Sequence, residues 1–531
     1  MGQDGKKMEA WCYYSSSWSL SLKLLLCMVP LILVYGFFAF RSSKSNDGIF
    51  FSYSFSSTLY SVQNRSSVSL EEAIAEHSVL EGTNEATALP PVVVEGIAPA
   101  VMPSKDEDGG IWSNTVGSNS TNTSHASNDS LAPPPVVVEL ERVVTHLDRL
   151  EAGLRRARVA IKAVKTQNPS PDPDYVPSGP MYWNANGFHR SYLEMEKQFK
   201  VYVYEEGEPP IFHNGPCKSI YSTEGNFIHL MEVNSQFRTG NPEKAHVFFL
   251  PFSVAMMVRY VYLRDSKDFA PIRQTVRDYT GLVSTKYPYW NRSLAADHFM
   301  LSCHDWGPET SFSVPLLHKH AIRVLCNANT SEGFMPAKDV SFPEINLLTG
   351  HIKHYVGGPS PSRRSILAFF AGGVHGPIRP ILLQHWENKD DDVKVYKYLP
   401  KGISYLDMMK NSRFCLCPSG YEVASPRIVE ALYTGCVPVL ISDHYVPPFS
   451  DVLNWNAFSV QVSTKDIPNL KNILMGISSR QYIRMQRRAT QMRRHFEVHY
   501  PPKRYDVFHM VLHSVWLRRL NIRVRDHRQT L

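Results

Sequence analysis

One stretch limits the possible folds more than any other, the run from Phe414 to Asp443. Phe414 to Cys417 is a short apolar segment, and the Pro418-Ser-Gly420 cluster ends it. Ser425 followed by Pro426 predicts an N-cap and a first helical position, and Gly435 predicts the stop of a short helix. Val437 to Ile441 then reads as a second buried strand. A strand–helix–strand unit this compact demands a parallel sheet, with its ligand site at the carboxyl ends of the strands. There a helix N-terminus presents free N–H groups and a positive dipole end to an anion. Arg427 and Glu430, three residues apart, share one face of that helix. A cation for phosphate and a carboxylate for ribose hydroxyls are what a nucleotide needs. For these two residues taken alone, an ion pair within the helix is the plainer reading.

Further strands and helices alternate on both sides. Phe199 to Tyr204, His246 to Phe252, His298 to Cys303 and Ile322 to Cys326 predict buried strands, separated by amphipathic stretches such as Ala255 to Asp265 and Pro271 to Tyr287. A second set runs from Ser365 to Phe370 through Lys394 to Tyr398, the opening stretch, and Phe458 to Val462. Basic helices over Ile467–Phe496 and Tyr505–Leu520 close the body. The fold class is therefore α/β, with two Rossmann-like domains facing a cleft: 182–360 on the acceptor side and 361–520 on the nucleotide side.

The rest of the 531 residues is organised around this body. Residues 1–17 form a short tail, and 18–40 carry the near-continuous apolar run Leu24 to Phe40. No small-residue cleavage site follows, so the run predicts an uncleaved signal anchor. Residues 41–139 are rich in Ser, Asn and Pro and read as a disordered stem. Sequons at Asn64, Asn119, Asn122, Asn128, Asn291 and Asn329 all follow the anchor, as suits a glycosylated lumenal body. Six of the eight cysteines fall in that body, an even count compatible with disulfides. Between Leu140 and Val164 apolar residues recur at alternating spacings of three and four. That period suits a short coiled coil over 140–166, hence a homo- or hetero-oligomer, or a single helix docked on the body. The net charge of +7 is concentrated after Ser479, where Lys and Arg number thirteen against three acids, the basic tail at 521–531 included. No nucleic-acid recognition module accompanies this charge, so nucleic acid is not an expected partner.

Several constellations could carry chemistry. After the strand ending at Phe370 come Gly372, Gly373, His375 and Gly376, then Arg379, a glycine-rich loop suited to a diphosphate. Asp390-Asp-Asp392 lies near the distance of a ribose-binding acid, which makes an NAD(P)-dependent oxidoreductase a rival reading; Pro377 and Pro380 oppose the helix it requires. Asp297 and His298 flank one end of a predicted strand, and His304 and Asp305 the other. Asp297, His304, Asp305 and Glu422 are candidates for a general base. Asp172-Pro-Asp174 and Asp390-x-Asp392 have the form of a metal-binding Asp-x-Asp, but they fall in a linker and a charged turn, and no catalytic metal is predicted.

Ala296-Asp-His-Phe299, Ser302 to Pro308, Lys338 to Glu344, Leu367 to Gly372 with His375-Gly376, and the run Cys415 to Trp455 together resemble the plant exostosin-like glycosyltransferases over roughly Tyr182 to Leu520. The resemblance implies a type II Golgi membrane protein of GT-B fold. It further implies inverting transfer from a UDP-sugar to a cell-wall polysaccharide or glycan acceptor, without a catalytic metal. The family pattern Ser-x-Arg-x-x-Glu-Ala falls on Ser425, Arg427, Glu430 and Ala431. It implies Glu430 on the ribose, Ser425 and Arg427 near the diphosphate, and Gly372, Gly373, His375 and Arg379 facing it. One departure is Leu294-Ala295, where such proteins often have glycines. A non-catalytic partner subunit of a Golgi transferase complex is the alternative that keeps the same binding site.

Overall fold

The computed structural model describes residues 145–164, 172–349 and 352–524. The anchor, the stem, the sequons at Asn64, Asn119, Asn122 and Asn128, and the end of the basic tail lie outside the described residues.

Ten strands form two parallel sheets. The first holds β1 (Val201–Val203), β2 (Val247–Phe249), β3 (His298–Ser302), β4 (Ile322–Leu325) and β5 (Val340–Ser341), side by side in chain order. The second holds β6 (Ile366–Ala371), β7 (Val393–Tyr396), β8 (Ser412–Pro418), β9 (Val437–Ile441) and β10 (Val460–Val462), in the order β10-β9-β8-β6-β7. Both sheets are parallel and covered on both faces, which is why the strands read as continuous apolar runs. The helices of the first lobe are α1 (His146–Ala163), α2 (Ala185–Gln198), α3 (Ser222–Val233), α4 (Val254–Tyr260), α5 (Ala270–Lys286), α6 (Pro288–Ser293), α7 (Gly307–Phe312) and α8 (Pro315–Lys319). Those that follow are α9 (Ile378–Trp386), α10 (Tyr405–Asn411), α11 (Pro426–Thr434), α12 (Leu470–Met475), α13 (Ser479–Met492) and α14 (Val507–Leu520).

The second sheet decides where a ligand can sit. Chain order reverses between β6 and β8, because β7 adds on one side of β6 and β8 on the other. A crevice opens at such a switch point beyond the carboxyl ends of the strands. The loop after β6 carries Gly372 to Gly376, and the loop after β8 carries Ser419 to Ser425. The first sheet runs in one direction and has no such reversal, which departs from a doubly wound plan. Its residues Val201, Val247, Phe299 and Ile322 pack in one core with α2, α3 and α14. The opposite face, with Tyr202, Phe248 and Met300, packs against α5.

Four expectations need correction. The basic segment Ile467–Phe496 is not one helix: it breaks between α12 and α13 at Gly476 to Ser478, where Ser478 accepts the Gln481 N–H and restarts the chain as an N-cap. α9 does form, since Pro380 lies in its first turn, where no intrahelical N–H is lost. α14 belongs to the core of the first lobe rather than to the nucleotide domain: Phe508, Val511, Val515 and Trp516 are buried there. The stem helix α1 opens with a capping box between Thr145 and Asp148. It then buries Leu147, Leu154 and Ala157 against the body, and Arg158 donates to the Ile522 carbonyl at 3.1 Å. Its apolar seam is thus occupied within the chain, where the period had also suited a coiled-coil partner.

The disulfides Cys303–Cys326 and Cys415–Cys436 tie β3 to β4 and β8 to the end of α11, and Cys417 remains a buried thiol. Arginines of the basic end serve the fold: Arg518 pairs with Asp451 at 2.8 Å, Arg519 with Glu151 at 2.5 Å and Arg504 with Asp172 at 2.8 Å.

Candidate active site in the cleft between the lobes

The short helix α11 forms where the sequence placed it. Ser425 is its extended N-cap, Pro426 its first residue, and Gly435 closes it with φ +68°. The Ser425 hydroxyl makes no capping bond and is buried without a partner. Arg427 and Glu430 project from this helix into a cleft of about 360 Å³, and each bonds elsewhere rather than to the other. Arg427 donates from Nε and Nη2 to the Ala371 carbonyl at 3.3 and 3.0 Å, with its guanidinium 5.1 Å from the Phe370 ring centroid. This fixes the cation at the carboxyl end of β6. Glu430 accepts the Tyr405 hydroxyl at 2.8 Å, and the Asn346 amide reaches the same carboxyl. Burial pushes the Glu430 carboxyl up while Arg427 opposes it.

The loop after β6 supplies the facing wall. Gly372 leaves room for Arg427, since a Cβ there would lie 2.3 Å from its Nη2. Gly376 has φ +65°, and a Cβ would lie 1.8 Å from the Gly420 carbonyl oxygen, so the two loops of the switch point touch backbone to backbone. Gly373 accepts from the Arg379 guanidinium at 3.4 Å. Burial, with Arg427 beside it, lowers Arg379 to about 10. Burial also lowers His375, as do the Arg379 and Arg427 cations. His375 sits at the mouth, with its ring 5.2 Å from that of the exposed Tyr421.

Of the four base candidates, the fold brings two together. Asp305, after the carboxyl end of β3, and Glu422, in the loop before α11, both line the cleft. Asp305 is half-buried and accepts the Tyr221 hydroxyl at 2.7 Å. Asp297 lies at the other end of β3, outside the cleft, where it accepts from Ser293 at 2.6 Å and pairs with His298 at 2.8 Å and Arg292 at 3.3 Å. Burial works to raise the Asp297 carboxyl, but His298 and Arg292 outweigh it and hold it at about 2. That is an anchoring carboxylate. His304 is buried behind Tyr221, accepts the Trp306 N–H on Nδ1 at 3.1 Å, and is lowered by burial to about 4.

Glu344 is a cleft residue that periodicity and spacing leave unmarked in the sequence. It follows the two-residue β5 and meets Glu422 and Asp305 from the first lobe. Burial, then Asp305, pushes Glu344 up to about 8. Burial, then Glu344 and Asp305, drives Glu422 well above the usual range. Tyr221, Asn346, Tyr405 and Tyr421 complete the wall. The signal of Glu344 in the sequence is its place at the end of Lys338–Glu344, one of the stretches that carry the family resemblance.

Other expectations resolve by position. Asp390 pairs with Lys471 at 2.8 Å beside the amino end of β7, far from where a ribose acid must stand. This removes the dinucleotide reading of the glycine loop. Asp172 clamps Arg504. Asn329 is buried, its amide donating to Glu332 at 2.8 Å, and does not present a glycosylation acceptor, whereas Asn291 is exposed on α6. Leu294 and Ala295 hold φ +52° and +66°, the left-handed backbone that glycine adopts freely, at the amino end of β3 and away from the cleft.

A family model described as the exostosin GT47 domain matches residues 195–477. The chain belongs to the exostosin GT47 family. A probable glycosyltransferase of Arabidopsis thaliana is 59% identical over 514 residues, covering 96% of this chain and 97% of the relative. A probable β-1,4-xylosyltransferase of Arabidopsis thaliana is 28% identical over 342 residues, covering 60% and 82%. A probable glucuronosyltransferase of Oryza sativa subsp. japonica is 28% identical over 358 residues, covering 62% and 84%. This GT47 chain is a glycosyltransferase, and its family segment includes every cleft residue named above.

Proposed function

We propose that this GT47 protein transfers a sugar from a UDP-sugar to a polysaccharide or glycan of the plant cell wall, with inversion at C1. One observation carries the reading. Four buried polar atoms without partners stand at the cleft: Ser425 Oγ, Arg379 Nε and Glu422 Oε2 from the nucleotide lobe, and Glu344 Oε2 from the first lobe. Buried polar atoms are satisfied in the working state, so a polyhydroxylated phosphate ester suits the space.

Glu430 would bind the ribose hydroxyls, steadied by Tyr405 and Asn346. Arg427, Arg379 and the N-terminus of α11 would take the diphosphate and the charge that develops on it, while His375 flanks them. These groups supply the stabilisation that a cation gives elsewhere, and the reading needs no metal among the described residues. Asp305 is the base in this scheme. Of the three neighbouring acids it is the one with solvent contact and a hydroxyl donor to support negative charge. The acceptor oxygen bonds to C1 as the C1–O bond to the β-phosphate breaks. The electron pair leaves with UDP, and the hydroxyl proton goes to Asp305. The anchor-like run, the sequon at Asn291 and the disulfides Cys303–Cys326 and Cys415–Cys436 support a type II protein with its body in the Golgi lumen.

Glu430→Ala should abolish UDP binding to the full-length chain by calorimetry, and unchanged affinity sinks the donor site. Asp305→Asn should keep UDP affinity and lose transfer. If the unaltered protein also binds UDP-sugars but turns none over, even with wall oligosaccharides, it is a non-catalytic subunit.

A further inference from the structure

Ribose and diphosphate account for Glu430, Arg427, Arg379 and Ser425, and leave the part of the cleft between the lobes without an occupant. A sugar joined to the diphosphate must extend into that part, because its C1 has to lie between the guanidinium groups and the base. Three elements wall it: Asp305 from the end of β3, Glu344 from the segment after β5, and Glu422 from the loop before α11. Glu344 and Glu422 are 4% and 8% exposed, and each has a carboxyl oxygen with no hydrogen-bond partner. The cleft's two guanidinium groups, Arg379 and Arg427, stand on the nucleotide side, and among the described residues no lysine or further arginine lines it.

We infer that the transferred sugar is uncharged: the cleft accepts a UDP-linked neutral hexose or pentose and rejects a UDP-linked uronic acid. The inference rests on the donor-site reading above. Sugar hydroxyls both donate and accept, so they can satisfy the free oxygens of Glu344 and Glu422 whichever of them carries a proton. A uronate carboxylate can only accept. It would lose its water beside three acids while the cleft's two guanidinium groups are taken by the diphosphate, and its entry would force neighbouring carboxyl groups to stay protonated. Membership of the family leaves the charge of the sugar open, since relatives include a probable xylosyltransferase and a probable glucuronosyltransferase. The side chains at this position settle it by an unfavourable element as much as by an attractive one. One like charge at close range in a partly dry site is worth about a hundredfold in affinity.

The test is calorimetry on the full-length chain with UDP as the reference and matched ligands that differ only at C6, UDP-glucose against UDP-glucuronate and UDP-galactose against UDP-galacturonate. The expected result is that both uronates bind about a hundredfold more weakly than UDP, while at least one neutral sugar nucleotide binds no more weakly than UDP. Asp305→Asn, which keeps the donor site intact, should narrow the gap about tenfold, and Glu344→Gln should do the same when the comparison is made at pH 8.5, above the value of about 8 to which its surroundings push that carboxyl. Uronates that bind as tightly as their neutral partners overturn the inference and leave the donor site standing. Absence of UDP binding removes the donor site and the inference together.

Discussion

Glu344→Gln probes the cost of holding acids in the cleft. The carboxyl is 4% exposed, and its value rises from 4.5 to about 8 because burial and Asp305 disfavour its charge. Between those two values the folded protein keeps a proton that the unfolded chain has released. Stability therefore falls as pH rises through that window, by about 1.4 kcal/mol per pH unit. Below pH 4.5 Glu344 is neutral in both states and contributes no difference. By pH 7 the accumulated loss is about 3 kcal/mol as a ceiling, since a buried pair relaxes to share its proton. Glutamine keeps the shape of the neutral acid and cannot ionise. The variant should match the parent near pH 5 and exceed it at pH 7 by up to roughly 4 °C in Tm. Thermal unfolding of the full-length chain and the variant across pH 5 to 8.5 measures this. Parallel pH curves, or a variant less stable throughout, would refute the argument that Glu344 is kept neutral by its surroundings. A more stable variant with impaired transfer would mark Glu344 as a residue retained for function at the expense of stability.

Two further substitutions separate the cleft from its supports. Gly376→Ala places a Cβ 1.8 Å from the Gly420 oxygen at φ +65°, so the two loops must part. UDP affinity should fall more than tenfold with a loss of a few kcal/mol in stability, and an unchanged calorimetric titration would count against the touching loops. Asp297→Asn should lower stability by about 3 kcal/mol, because Arg292 and His298 lose their buried partner, while UDP affinity is unchanged. Chemical denaturation and calorimetry on one preparation decide it, and weakened UDP binding would return Asp297 to the site.

What could be read from the sequence was local. Ser425, Arg427 and Glu430 sit within one short helix, so spacing alone placed them on a common face. The buried strands announced themselves because parallel sheets covered on both faces need uninterrupted apolar runs. Glu344 escaped because its meaning lies in Asp305 and Glu422, which reach it from distant segments and from both lobes. Periodicity does not report such meetings. β5 escaped as well, being only two residues long and followed by Pro343. The seam of α1 had two physical solutions, another chain or its own body, and only tertiary packing chose between them.

The return of α14 to the first lobe bears on how the protein is made. Trp516, Val515 and Val511 lie in the same core as Val201, Val247 and Phe299, which leave the ribosome some two to three hundred residues earlier. At about 5–20 residues per second the first lobe waits tens of seconds for its last wall. During that wait it presents an apolar face that only the end of the chain can cover. A nascent chain stopped before Val507 would carry the whole cleft and still lack a finished core. Quality control that senses exposed apolar surface would then read completeness of synthesis directly from the N-terminal lobe.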